Sequence, residues 1–145
     1  MDITSDCIID APVETVWALT LDVESWPDTT PTMDRIERLD DGPLRVGSRV
    51  VVEQPMQRPT EWTVTVLEPG ALFVWSAKVG PVTMTATHRL TPEGTGCRNR
   101  LEVELTGFGS GVARRLLGGR IRQAIETENQ GFKRAAERSH RAAPA

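Results

Sequence analysis

The sequence predicts an α+β fold in which a wrapped antiparallel sheet closes on one long C-terminal helix. From Trp62 to Leu105, large apolar and polar residues alternate through short segments divided by Pro and Gly turns, the pattern of strands with one buried face. From Ser110 the period lengthens and puts Val112, Leu116, Leu117, Ile121, Ile125 and Phe132 on roughly one helical stripe for the sheet to cover. The expected product is hollow. With 145 residues and 39% hydrophobic content the chain can build one substantial core, and no Ser/Gly-rich stretch divides it, so residues 1–145 read as a single domain.

The first element is a strand from Ile3 to Asp10. Ala11-Pro12 then opens a short helix with Val13, Val16 and Trp17 as its apolar positions, because proline suits a first helical turn whose amide would be unpaired anyway. A second short helix begins at Asp22 and is expected to yield at Trp26-Pro27, since a residue preceding proline is pushed out of helical geometry.

A weakly patterned strand covers Met33 to Leu39, and the turn Asp40-Asp41-Gly42-Pro43 follows. Val50, Val52 and Gln54 share one face of the next strand, with Val51 and Glu53 on the reverse. Pro55 and Pro59 bound a turn, because proline has no donor for a sheet interior. Trp62, Val64 and Val66 face one way in the following strand; after Pro69-Gly70 come Phe73 and Trp75, and after Gly80-Pro81 come Val82, Met84, Ala86, His88 and Leu90. Cys97, Leu101, Val103 and Leu105 form the inner face of the last strand, while Arg98, Arg100, Glu102 and Glu104 face water. Gly118-Gly119 interrupts the long helix at roughly 1 kcal/mol per residue relative to alanine. Residues 142–145 read as a frayed, flexible tail.

Charge and cysteine usage narrow the function classes. The net charge is −3, yet from Ser110 onward there are 8 basic and 3 acidic residues against 9 basic and 17 acidic before it, so a uniform nucleic-acid face is not expected. Arg114, Arg115, Arg120 and Arg122 form a local positive cluster where an anion or a membrane headgroup could be met; a solvated helix face is the plainer reading. No apolar run reaches the roughly 20 residues that cross a bilayer, and no signal-peptide pattern opens the chain, so a cytoplasmic, non-integral protein is expected. Cys7 and Cys97 support neither a disulfide scaffold nor a zinc knuckle. His88 and His140 have no ligand partner at helical spacing, and Asp40-Asp41-Gly42 is too short for a calcium loop, so no metal is expected. The glycines Gly107, Gly109 and Gly111 lack the lysine and hydroxyl pair of a phosphate loop, and no cofactor is expected.

The run Ile9-Asp10-Ala11-Pro12-Val13-Glu14-Thr15-Val16-Trp17, then Leu21-Asp22-Val23-Glu24-Ser25-Trp26-Pro27, Gly47 entering a strand, and Glu68-Pro69-Gly70 before Leu72-Phe73 carry a family resemblance. In their order and spacing they resemble the START-like helix-grip (SRPBCC) superfamily, in particular its polyketide cyclase/dehydrase and lipid-transport grouping. The resemblance spans nearly the whole chain. It implies a seven-stranded antiparallel sheet curled around the long C-terminal helix, two short helices closing part of the base, and an internal cavity for an apolar molecule. Thr29 departs from the aromatic that many relatives carry just after their Trp-Pro pair.

In that frame Trp62, Phe73, Trp75 and Met84 from the sheet and Leu117, Ile121 and Ile125 from the helix are candidates to contact an apolar ligand, each well-buried side chain contributing about 1.5–3 kcal/mol. Met84 is adaptable, and Trp62 and Trp75 supply shape and an indole donor. Trp26 is a candidate lid or rim residue. His88 shares the inward parity of Val82, Met84, Ala86 and Leu90, so its imidazole is a candidate to orient a ligand carbonyl or hydroxyl; Gln54 is a weaker candidate of the same kind. Filling an ordinary core is the competing reading for each.

Three function classes stay open: reversible binding or transport of an apolar small molecule, which is the leading reading; a cofactor-independent cyclase or dehydratase; and a regulatory protein-interaction domain. No catalytic residue is assigned, since no nucleophile elbow is present and there is no tyrosine. An enzyme would need a second polar group converging with His88, and an interaction module a filled interior with an external contact patch.

Overall fold

The computed structural model describes residues 3–55 and 57–142. Seven strands, β1 (Ile3–Ile9), β2 (Arg35–Arg38), β3 (Arg49–Glu53), β4 (Thr60–Glu68), β5 (Leu72–Val79), β6 (Val82–Glu93) and β7 (Gly96–Gly107), form one antiparallel sheet in the order β1-β7-β6-β5-β4-β3-β2. Helix α1 (Val13–Leu21), a 3₁₀ turn at Val23–Ser25 and the one-turn helix α2 (Trp26–Thr29) follow β1, and α3 (Ser110–Ala142) closes the chain. Ala142 is helical; the rest of the expected tail lies outside the described residues.

Strand parity holds through the sheet centre. Ala77 pairs with Met84, Trp75 with Ala86 and Phe73 with His88, and across the next ladder Met84, Ala86 and His88 pair with Leu105, Val103 and Leu101. Residues directly opposite in an antiparallel ladder point to the same face, so these side chains share the side that α3 covers. The main core joins Trp26, Phe73, Trp75 and Val64 to Phe132 of α3.

Three local expectations are corrected. A bulge between Val64 and Val66 leaves Val64 opposite Trp75 but puts Val66 opposite Val74 and Leu67 opposite Phe73. The extra residue reverses parity, so Leu67, not Val66, continues the inner face and packs on the core. At Trp26-Pro27 the chain does not leave helical geometry: the 3₁₀ turn ends, and α2 starts with Trp26 at φ −56° and ψ −36° and Pro27 in its first turn. A first-turn proline removes only an amide that has no intrahelical partner.

The third correction concerns α3. Ile121, Ile125 and Phe132 face the sheet, but Val112 and Leu116 are exposed. Val112 precedes Ile121, and Leu116 precedes Ile125, by about two and a half turns at 3.6 residues per turn, which sets them on opposite faces. The buried stretch of α3 starts at Ile125 and includes Glu128, Asn129 and Gly131. Gly131 sits where α3 crosses α2: a Cβ there would lie 2.2 Å from the Thr29 carbonyl oxygen. Only glycine permits that approach without displacing a helix.

Candidate functional site

Between the inner face of the sheet and α3 lies a cavity of about 390 Å³, within the ~300–1,000 Å³ typical of small-molecule sites. Trp62, Trp75, Met84 and His88 line it from the sheet, Trp26 from α2, Gln54 from the end of β3, and Leu117, Ile121 and Ile125 from α3. The exposed lining residues Gln57, Leu117 and Arg120 mark where the cavity meets solvent, between the β3–β4 connection and the first half of α3.

Two proposed positions differ from expectation. Phe73 is fully buried and fills the core behind the cavity wall, with ring centroids 5.1 Å from Trp75, 5.5 Å from His88 and 6.0 Å from Trp26. Trp26 is not a lid or rim. It is buried, and its indole N–H donates to the Leu19 carbonyl at 3.0 Å, which ties the cavity wall to the end of α1. Gln54 Nε2 donates to the Thr32 carbonyl at 3.4 Å, a long bond that a ligand oxygen can compete with.

His88 sits in an aromatic enclosure, its ring centroid 5.1 Å from Trp26, 5.5 Å from Phe73 and 5.8 Å from Phe132. Its Nδ1 is buried without a hydrogen-bond partner among the described residues. Burial lowers its pKa to about 4, so the imidazole is neutral at physiological pH and offers one donor and one acceptor.

The polar residue that sequence reasoning missed is Glu128. It lines the same cavity, is buried, and no ion pair or hydrogen bond holds its carboxyl among the described residues. Burial raises its pKa to about 8, so it is mostly the neutral acid at pH 7 and carries an O–H donor. The signal was present in the spacing: Ile121, Ile125, Glu128 and Phe132 fall four, three and four apart, the repeat of one helix face. A carboxyl on an apolar stripe, desolvated and facing a cavity, is a candidate functional group.

Among the described residues no group of three His, Cys, Asp or Glu side chains could hold a metal ion, and no helix is long and apolar enough to cross a membrane. Cys7 and Cys97 are buried free thiols.

The family model for polyketide cyclase/dehydrase and lipid transport matches residues 1–137. The chain belongs to that family. No curated protein matches it. Among solved structures it is similar to the aromatase/cyclase Zhui of a Streptomyces species, at 18% identity and TM-score 0.77, with 100% of this chain and 98% of that one covered. It is also similar to TTHA0849 of Thermus thermophilus, at 17% identity and TM-score 0.76 over 96% and 99% of the two chains. A third similar structure is the di-domain aromatase/cyclase StfQ of the steffimycin pathway, at 15% identity and TM-score 0.79, where 95% of this chain spans 51% of that one. At these identities the likeness shows the helix-grip fold; the carboxyl of Glu128 and the imidazole of His88 line the cavity within it.

Proposed function

We propose that this member of the polyketide cyclase/dehydrase family reversibly binds or carries a neutral, largely apolar small molecule bearing a carbonyl or hydroxyl oxygen. The observation that carries the reading is the carboxyl of Glu128, protonated by burial and without a partner among the described residues, in a cavity whose walls are mainly Trp, Met, Leu, Ile and Val side chains with His88 and Gln54 among them and Gln57 and Arg120 at the mouth. That donor faces the cavity without an acceptor among the described residues, and a ligand oxygen would supply one. The aromatic walls favour a flat or polycyclic skeleton.

The test is native mass spectrometry of gently purified protein with extraction of the bound compound, followed by titration with a panel of aromatic ketones, lipids and fatty acids read by tryptophan fluorescence. Three tryptophans line the cavity, so occupancy changes the signal. Saturable binding of neutral oxygenated ligands, weakened about tenfold or more by Glu128→Leu in keeping with loss of a buried hydrogen bond, supports the reading. No saturable binding across the panel sinks it.

A second reading follows from His88 and Glu128 sharing the cavity in opposite roles at pH 7: an imidazole that burial holds neutral, with an open acceptor, and a carboxylic acid that burial holds protonated, with a proton to donate. That pair suits dehydration of a β-hydroxy ketone, in which His88 removes the α-proton, Glu128 protonates the departing hydroxyl, and water leaves as the double bond forms. Turnover of such a substrate that survives both His88→Ala and Glu128→Gln would exclude it.

A further inference from the structure

From Phe108 to Ile125 the chain carries four arginines and no acidic residue. Phe108 is 88% exposed, Leu116 75% and Val112 63%, an unusual display of large apolar surface on one end of a molecule. Val112 and Leu116 lie on the face of α3 turned away from the sheet. Val79, also exposed, joins the same end, because β5 and β6 turn at Val79–Val82 and Val82 pairs with Gly107 beside Phe108. Gly107 lets the two connections touch: a Cβ there would lie 2.3 Å from the Pro81 carbonyl oxygen.

Arg115, Arg120 and Arg122 differ from the arginines on the sheet. Arg35, Arg49, Arg89, Arg98 and Arg100 each face a carboxylate within 4.0 Å. Arg115, Arg120 and Arg122 are exposed and have no ion-pair partner among the described residues. Exposed apolar side chains beside Arg115, Arg120 and Arg122 match the boundary of an anionic bilayer, where the former enter the acyl region and the latter meet headgroups. A two-fold contact between copies would instead bring the arginine clusters against each other.

We infer that the β7–α3 junction and the first turns of α3 form a docking surface for anionic lipid membranes. Leu117 and Arg120, at the cavity mouth, are adjacent to Leu116, so docking sets the mouth at the lipid surface. An apolar ligand then passes between bilayer and cavity with little exposure to water; this last step rests on the proposed function, whereas docking itself does not.

The test is flotation with phosphatidylcholine vesicles and with vesicles of equimolar phosphatidylcholine and phosphatidylglycerol, at low and high salt. Binding to the anionic vesicles, weakened by salt, is expected. Arg115→Gln/Arg122→Gln lowers it about 25-fold, at about fivefold per arginine, and Phe108→Asp/Leu116→Asp by roughly tenfold or more, with unchanged circular dichroism. Arg134→Gln/Arg138→Gln, on the far half of α3, leaves it unchanged. No preference for anionic vesicles, or binding indifferent to the Phe108/Leu116 change, overturns the inference. So does self-association, or retention by an acidic protein, that the same substitutions abolish while vesicles are ignored. Vesicle binding and ligand capture are measured separately, so either reading can fail without the other.

Discussion

Asn99 of β7 and Asn129 of α3 are clamped together: Asn99 Nδ2 donates to Asn129 Oδ1 at 3.0 Å, and Asn129 Nδ2 donates back to the Asn99 carbonyl at 3.1 Å. The same Nδ2 reaches the Ser5 carbonyl of β1 at 3.1 Å. One buried amide thus joins the long helix to two strands, and it adjoins Glu128. Asn129→Ala removes these bonds and leaves buried partners unpaired, so it is expected to destabilise the fold by about 2–4 kcal/mol, measured by urea denaturation.

The crossing of α2 and α3 makes a second prediction. Gly131→Ala forces a methyl against the Thr29 carbonyl and should cost about 1–3 kcal/mol. Gly119→Ala, on the same helix with open space around its Cβ, should instead stabilise by up to about 1 kcal/mol. Thermal melting of the two variants separates close approach from helix propensity.

The buried carboxyl makes stability fall with rising pH. Glu128 has a folded pKa of about 8 against an ordinary 4.5, so its contribution is full below about 4.5 and is lost as pH rises through about 8. His88 acts oppositely: its folded pKa of about 4 lies below 6.5, so its contribution is full above 6.5 and is lost as pH falls through about 4. The two slopes oppose between 4.5 and 6.5, and the Glu128 slope stands alone between 6.5 and 8. Glu128→Gln should flatten the stability profile in that upper window, and ligand affinity in the unsubstituted protein should drop as pH passes about 8.

Filling the cavity should abolish binding without unfolding. Ala124 lines it from α3 and is only half-buried. Ala124→Leu keeps a good helix former and projects new bulk into empty space, so stability should change by less than about 1.5 kcal/mol. Loss of tryptophan quenching by any ligand that binds the unsubstituted protein is the readout; undiminished quenching would place the ligand elsewhere.

Much of this was legible in the residues because period and parity are local properties. Alternation along β6 put His88 on the same face as Met84 and Ala86, and the change of period at Ser110 marked where the sheet ends and α3 begins. What periodicity reports, however, is the face of an element relative to its own axis. Whether that face meets a cavity, a packed wall or water depends on the neighbouring elements. Phe73 and Trp75 share one strand face, yet only Trp75 lines the cavity, because Trp26 and His88 close over Phe73. Leu116 belonged to an apolar count along α3, yet the sheet covers only the opposite side of the helix. Glu128 shares the spacing of Ile121, Ile125 and Phe132, yet only the fold removes its water. Burial depends on how α3 seats against α2 and the sheet, which Gly131 and the Asn99–Asn129 clamp respectively set through contacts far apart in the chain, and no window of sequence contains both partners of such a contact.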